Sequence, residues 1–135
     1  MMSKKIILDK ESAEFTKKII ELSGEIVTLC EQCGTCSGGC PMCDKAETSP
    51  SLMMRMAALG QKEILGSDII WYCASCYTCT VRCPRGIDIS KVAEALRQII
   101  LRDSVNRIDL SKLTPAELEK LPQIALVAAL RKMTG

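Results

Sequence analysis

Nine cysteines are the residues of this chain whose type and spacing can do chemistry, and eight of them fall into two copies of one pattern. The first copy is Cys30-Glu31-Gln32-Cys33-Gly34-Thr35-Cys36-Ser37-Gly38-Gly39-Cys40-Pro41. The second is Cys73-Ala74-Ser75-Cys76-Tyr77-Thr78-Cys79-Thr80-Val81-Arg82-Cys83-Pro84. Both read C-x2-C-x2-C-x3-C-P, the spacing that ligates a pair of 4Fe–4S clusters, with the fourth cysteine of each run serving the other cluster. Three cysteines at two-residue gaps wrap a tight loop around one face of a cubane and reach three of its four irons. The x3 gap starts a helical turn that carries the fourth thiolate away, and the proline after it turns the chain off. The pattern therefore predicts one cluster on Cys30, Cys33, Cys36 and Cys83 and a second on Cys73, Cys76, Cys79 and Cys40. The crossed ligation holds the two clusters close together, as an electron wire requires. It also staples segments about 50 residues apart, and cluster binding should contribute much of the folding free energy.

Zinc in two all-cysteine sites is the competing reading. Zinc ribbons separate two C-x2-C pairs by a longer loop, whereas two full triple-cysteine runs, each with a fourth Cys-Pro, are more specific to iron and sulfide. Cys43 is the ninth cysteine. Cys40-Pro41-Met42-Cys43 is itself a C-x2-C, but Cys83 has no cysteine three residues on, so the match between the copies favours Cys40 and leaves Cys43 as a free thiol. Gly34, Gly38 and Gly39 are expected to free backbone N–H groups toward cluster sulfurs, or simply to let the loop turn tightly. Arg55, Arg82 and Arg85 are candidates for offsetting cluster charge, with solvated surface as the alternative. Trp71 and Tyr72 are expected to shield a cluster from water or to lie at an interface.

These loops must be positioned by helices. Asp9 can cap a first helix to about Ser23, with Phe15, Ile19 and Leu22 on one face and Gly24 as its stop. Ser49-Pro50 opens another, with Leu52, Met56 and Leu59 as its expected inner face and Gly60 as its end. The clearest helix runs from about Asp88 to Asp103, where Val92, Ala95, Leu96, Ile99 and Ile100 recur at helical spacing. Thr114-Pro115-Ala116-Glu117 reads as a capping box with Leu113 and Leu118 as its staple, and Pro122 starts a last helix to about Lys132. Met53, Met54 and Met56 read as core filler. No segment reads as a strand. The expectation is an all-α fold, a single domain over 1–135, with a helix at about 9–23, a cluster core at about 30–103 and a C-terminal helical docking segment at about 114–132.

Lys plus Arg total 18 against 16 Asp plus Glu, and only four residues are aromatic. With no basic run and no stacking surface, a nucleic-acid partner is not expected. The absence of histidine removes Cys/His zinc fingers, Rieske centres and most acid–base chemistry near neutral pH. The start lacks the apolar stretch of roughly 7–15 residues of a signal peptide, and the cysteine count is odd, so a reducing cytoplasm is expected. The longest strongly apolar run, Ile124 to Leu130, is far short of the about 20 residues of a membrane span.

With those motifs in place, the chain closely resembles the C-subunit family of heterodisulfide reductases. The resemblance is strongest in CEQCGTCSGGCP and IIWYCASCYTCTVRCPRGIDISKVAEALRQ, and extends to the ending LPQIALVAALRKMTG. It implies an α-helical ferredoxin fold with two 4Fe–4S clusters, in a cytoplasmic complex with a flavin-containing A protein and a catalytic B protein. In methanogens the A protein bifurcates electrons at FAD. The C protein relays one branch to the B protein, where the coenzyme M–coenzyme B heterodisulfide is reduced. Hydrogenase or formate dehydrogenase chains often supply the electrons. Relatives in non-methanogens serve other substrates.

An electron-transfer subunit of an oxidoreductase, with no catalytic residue of its own, is thus the leading expectation. A free-standing two-cluster carrier would not need the 32 residues between Cys40 and Cys73 or the about 50 after Cys83. The iron–sulfur subunit of a succinate dehydrogenase or fumarate reductase would need a 2Fe–2S domain, which nothing before Cys30 could form.

Overall fold

Helix ends in this chain are set by local capping. In the computed structural model, which describes residues 8–102 and 112–133, α1 is Lys10–Ser23. The Asp9 carboxylate accepts from the Ser12 N–H at 2.9 Å and starts it, and Gly24 ends it in a left-handed turn. After a 3-10 turn at Val27–Leu29, α2 is Thr35–Gly38, inside the first cysteine run. Next comes α3, Pro50–Ala58, with Ser49 as N-cap and Pro50 at the first helical position. A 3-10 segment, Lys62–Gly66, leads to α4, Ile69–Tyr72, then α5, Thr78–Arg82, inside the second run. As long as α1, α6 is Ile89–Arg102. Two further helices are α7, Pro115–Lys120, and α8, Gln123–Met133. Among the described residues there is no strand, so the fold is all-α. No helix among them is long and apolar enough to cross a membrane.

The chain divides into two compact units, residues 1–103 and 104–135. In the first, α1 and α6 pack closely, and α6 also meets α3, α4 and α5. Phe15 and Ile19 of α1, Met53, Met54 and Ala57 of α3, Ile69 and Ile70 of α4, and Ile89, Val92, Leu96 and Ile99 of α6 share one buried cluster. The spacing expected for α6 is the one observed. For α3 the expected face is wrong. Leu52 is 42 % exposed and Met56 and Leu59 are half-buried, while Met53, Met54 and Ala57 point inward. This helix is apolar on several sides, so periodicity could not choose between them. The contacts with α1, α2 and α6 choose.

In the second unit the Thr114 N–H and hydroxyl both donate to the Glu117 carboxylate, at 2.9 and 2.8 Å, closing the expected capping box. Ile124, Val127 and Leu130 on α8 are exposed.

Arg97, on α6, ties this scaffold to the second cysteine run. Its guanidinium donates to Ile70 O at 2.8 Å and Cys73 O at 2.7 Å, and pairs with Glu94 at 3.0 Å, with its side chain only 18 % exposed. It thus satisfies carbonyls left open at the end of α4. Arg97→Met keeps the apolar stem and strands two largely buried acceptors. The expected cost is about 2–3 kcal/mol, read as a lower thermal midpoint of the iron-loaded chain.

Candidate iron–sulfur centre

The two cysteine runs adopt the same backbone shape from different residues. In each, the third and fifth positions are left-handed: Gln32 (φ 58°) and Gly34 (φ 77°) in the first, Ser75 (φ 51°) and Tyr77 (φ 60°) in the second. A short helix follows in both, α2 and α5, and these two pack together. Alternation of left- and right-handed residues builds the N–H-lined concavities that hold anionic groups, iron–sulfur sites among them. Three of the four left-handed positions carry side chains, which costs roughly 1–2 kcal/mol each. Nothing would obstruct a Cβ at Gly34, so Gly34→Ala is expected to cost about 1 kcal/mol from backbone strain alone. Tyr77→Gly should be neutral to slightly stabilising, since relief of strain is offset by about 0.5–1 kcal/mol of unfolded-chain entropy. Thermal melts of the two variants check the opposite signs.

The runs line two recesses. The first is walled by Cys30, Cys33, Cys36 and Cys83, with Met54, Ile87 and Ile89 as its apolar lining. The second is walled by Cys40, Cys73, Cys76 and Cys79, with Met53, Ile69 and Ile89. Each therefore gathers three cysteines of one run and the Cys-Pro cysteine of the other. Adjacent methionines of α3 face different recesses, and Ile89 borders both. Met53 and Met54 are core residues as expected, and they also wall the site. Cys43 is half-buried and borders neither recess.

The electrostatics repeat in the same way. The Thr35 hydroxyl lies 3.4 Å from the Cys33 sulfur and the Thr78 hydroxyl 3.5 Å from that of Cys76. These contacts hold both exposed thiols below their ordinary pKa, which favours the thiolate form that ligates metal. Burial pushes the Cys36 and Cys79 thiols up, opposed in part by hydrogen bonding from Ser37 at the first and the Thr80 hydroxyl at the second. At the rim of the first recess Arg85 pairs with Glu31, joining the end of the second run to the start of the first. The Arg82 side chain packs over Gly39, where a Cβ would lie 2.9 Å from its guanidinium.

Several expectations are corrected. The Gly38 and Gly39 N–H groups donate to Gly34 O and Thr35 O at 3.1 and 3.2 Å, so they serve the turn and not a sulfur. Trp71 is 47 % exposed, Tyr72 is similar, and neither borders a recess, so neither shields one. Missed in the sequence were Arg97 and two carboxylates that brace the loops. Asp68 accepts from the N–H groups of Glu47 and Thr48 at 2.7 and 3.3 Å, and Asp88 from the Thr80 hydroxyl at 2.9 Å. Only Asp88 carried a local signal, as a capping residue before α6.

The donor set suits a thiophilic, polynuclear group. All four candidate ligands in each recess are sulfur, the selective donors for Fe–S clusters and zinc. Around one zinc ion, four thiolates must converge to about 3.8 Å from each other, given Zn–S bonds of about 2.3 Å. Among the described residues no three cysteines or carboxylates are gathered to hold a metal ion directly.

Residues 26–87 match the family model of the 4Fe-4S dicluster domain. Over 102 residues the chain is 39 % identical to a CoB–CoM heterodisulfide reductase iron–sulfur C-type chain, C 2, of Methanocaldococcus jannaschii, covering 70 % of this chain and 55 % of that protein. It is 33 % identical to the C chain of the ferredoxin:CoB–CoM heterodisulfide reductase of Methanosarcina mazei, covering 76 % and 63 %. Over 92 residues it is 38 % identical to the iron–sulfur C chain of the CoB–CoM heterodisulfide reductase of Methanopyrus kandleri, covering 67 % and 48 %. The chain thus spans about half to three-fifths of the length of these curated relatives.

Proposed function

The chain has a 4Fe-4S dicluster domain and is a homologue of proteins named as heterodisulfide reductase C subunits, and from that premise we propose that it is the electron-transfer subunit of a cytoplasmic heterodisulfide reductase-type complex. In this reading Cys30, Cys33, Cys36 and Cys83 hold one 4Fe–4S cluster and Cys73, Cys76, Cys79 and Cys40 hold the other. The chain relays electrons from a flavin-containing A protein to a catalytic B protein, which reduces the coenzyme M–coenzyme B heterodisulfide. The observation that carries the proposal is the crossed lining of the two recesses, three cysteines from one run and one from the other.

When bound, a 4Fe–4S group supplies one-electron uptake and release at a potential tuned by its surroundings. The chain's own residues do the rest. The eight cysteines present thiolates. Met53, Met54, Ile69, Ile87 and Ile89 keep water from the inner walls. Glu31 and Arg85 neutralise each other at the mouth of the first recess. In this reading the disulfide chemistry falls to the B protein.

The test is anaerobic purification of the native protein with identification of what accompanies it. A flavoprotein and a cysteine-rich protein are expected, with heterodisulfide reduction present in the complex and absent from the chain alone. A chain that runs alone on size exclusion, or that reduces the disulfide unaided, overturns the proposal.

A further inference from the structure

Ser90 is an unused buried donor aimed into the second recess. It is the second residue of α6 and is 5 % exposed, and its N–H is taken up by the Asp88 carboxylate at 3.1 Å. Its hydroxyl is fully buried and has no hydrogen-bond partner. Ser90 borders the recess walled by Cys40, Cys73, Cys76 and Cys79. A buried hydroxyl without a partner is costly, so an acceptor is needed on the recess side. Thiolate and sulfide sulfurs are the acceptors that the proposed occupant would bring.

Among the described residues, none that lines the first recess carries a buried side-chain donor without a partner. Ser51 borders it, but Ser51 is engaged with the hydroxyls of Ser37 at 2.9 Å and Ser49 at 3.2 Å. In one orientation the Gln32 amide donates to the Cys30 sulfur at 3.2 Å; in the other it donates to Ser51 O at 3.2 Å and accepts from Arg55 N at 3.3 Å. Arg85 is paired with Glu31. The threonine contacts to Cys33 and Cys76 occur in both recesses and cancel in any comparison between them.

We infer that Ser90 is a positioning residue that donates a hydrogen bond to a sulfur of the cluster in the second recess, raising the reduction potential of that cluster. The physical basis is that a donor stabilises the reduced form, which carries one more negative charge, more than the oxidised form. This inference depends on the reading of two 4Fe–4S clusters given above.

The experiment is a redox titration followed by electron paramagnetic resonance on the iron-loaded chain, with Ser90→Ala and Ser90→Thr beside wild type. A Cys33→Ala/Cys83→Ala chain, keeping only the second recess intact, assigns the signals. Wild type should show two midpoints, one of them belonging to the second recess. Ser90→Ala should shift that midpoint to more negative potential and leave the other in place, and Ser90→Thr should restore it. Iron content and thermal midpoint should be the same in wild type and both Ser90 variants. Midpoints unmoved by Ser90→Ala, or moved only for the first recess, overturn the tuning role while the clusters stand. A wild-type chain that binds no more than about four irons overturns the two-cluster reading itself.

Discussion

A Cys33→Ala/Cys83→Ala chain keeps about four irons in one intact reducible cluster, and a Cys33→Ala/Cys40→Ala chain keeps no intact cluster. This expected contrast follows from the crossed ligation proposed above. The first pair removes two thiolates from one recess and leaves Cys40, Cys73, Cys76 and Cys79 complete. The second pair takes one thiolate from each recess, leaving three in both. If each run held its own cluster, the two results would change places, so iron analysis with the spectrum of the reduced protein decides between the arrangements. Cys43→Ala is the control, and wild-type iron content is expected, because Cys43 borders neither recess. The effect is large because metal binding in a small domain is of the same order as its whole stability, on the order of 10 kcal/mol. The Cys33→Ala/Cys40→Ala chain should therefore also melt far below the Cys33→Ala/Cys83→Ala chain.

Gly60→Ala is expected to destabilise the chain by roughly 3–5 kcal/mol, lowering the thermal midpoint by on the order of 15 °C or more. Gly60 closes α3 in a left-handed turn at φ 67°. Its N–H donates to Ala57 O at 3.3 Å and that of Gln61 to Met56 O at 2.9 Å, the paired bonds of a Schellman motif. A side chain there bears the left-handed strain of about 1 kcal/mol. Steric contact costs more than that strain. A Cβ would lie 2.0 Å from Ser12 O and 2.6 Å from Ser12 C, which is backbone of α1 and cannot swing aside. Relief requires α1 to move off α3, breaking the bond from the Thr16 hydroxyl to Ala57 O at 3.1 Å and opening the packing of Phe15 and Ile19. Gly24 ends α1 in the same conformation, but a Cβ there meets nothing within 4 Å. Gly24→Ala should cost only about 1 kcal/mol. Equal losses in the two variants would remove the close-approach argument.

Both glycines read alike in the sequence, as helix stops, and the difference between them marks how far reading the sequence reaches. Asp9, Ser49, Thr114 and Gly24 were legible because a cap acts on N–H or C=O groups within about four residues of itself. The cysteine runs were legible for the same reason, since three sulfurs at two-residue gaps can be judged from the loop alone. That Cys40 and Cys83 would each border the recess of the opposite run could be anticipated only through the repeat of the pattern.

What tertiary structure decided depends on residues far apart in the chain. The inner face of α3 is Met53, Met54 and Ala57 rather than Leu52, Met56 and Leu59, because an apolar helix turns toward whatever packs against it. Arg97 holds Ile70 and Cys73 across 27 and 24 residues, and Arg85 meets Glu31 across 54. The Ser90 hydroxyl is an orphan only because its surroundings bury it without supplying an acceptor. The sequence by itself determined the donor atoms, their number and the helical frame, through interactions short enough to lie within one run or one turn. The tertiary structure decided which walls enclose those donors, which glycine permits two helices to touch and which hydroxyl faces one recess and not the other, because burial and close approach are properties of the assembled core.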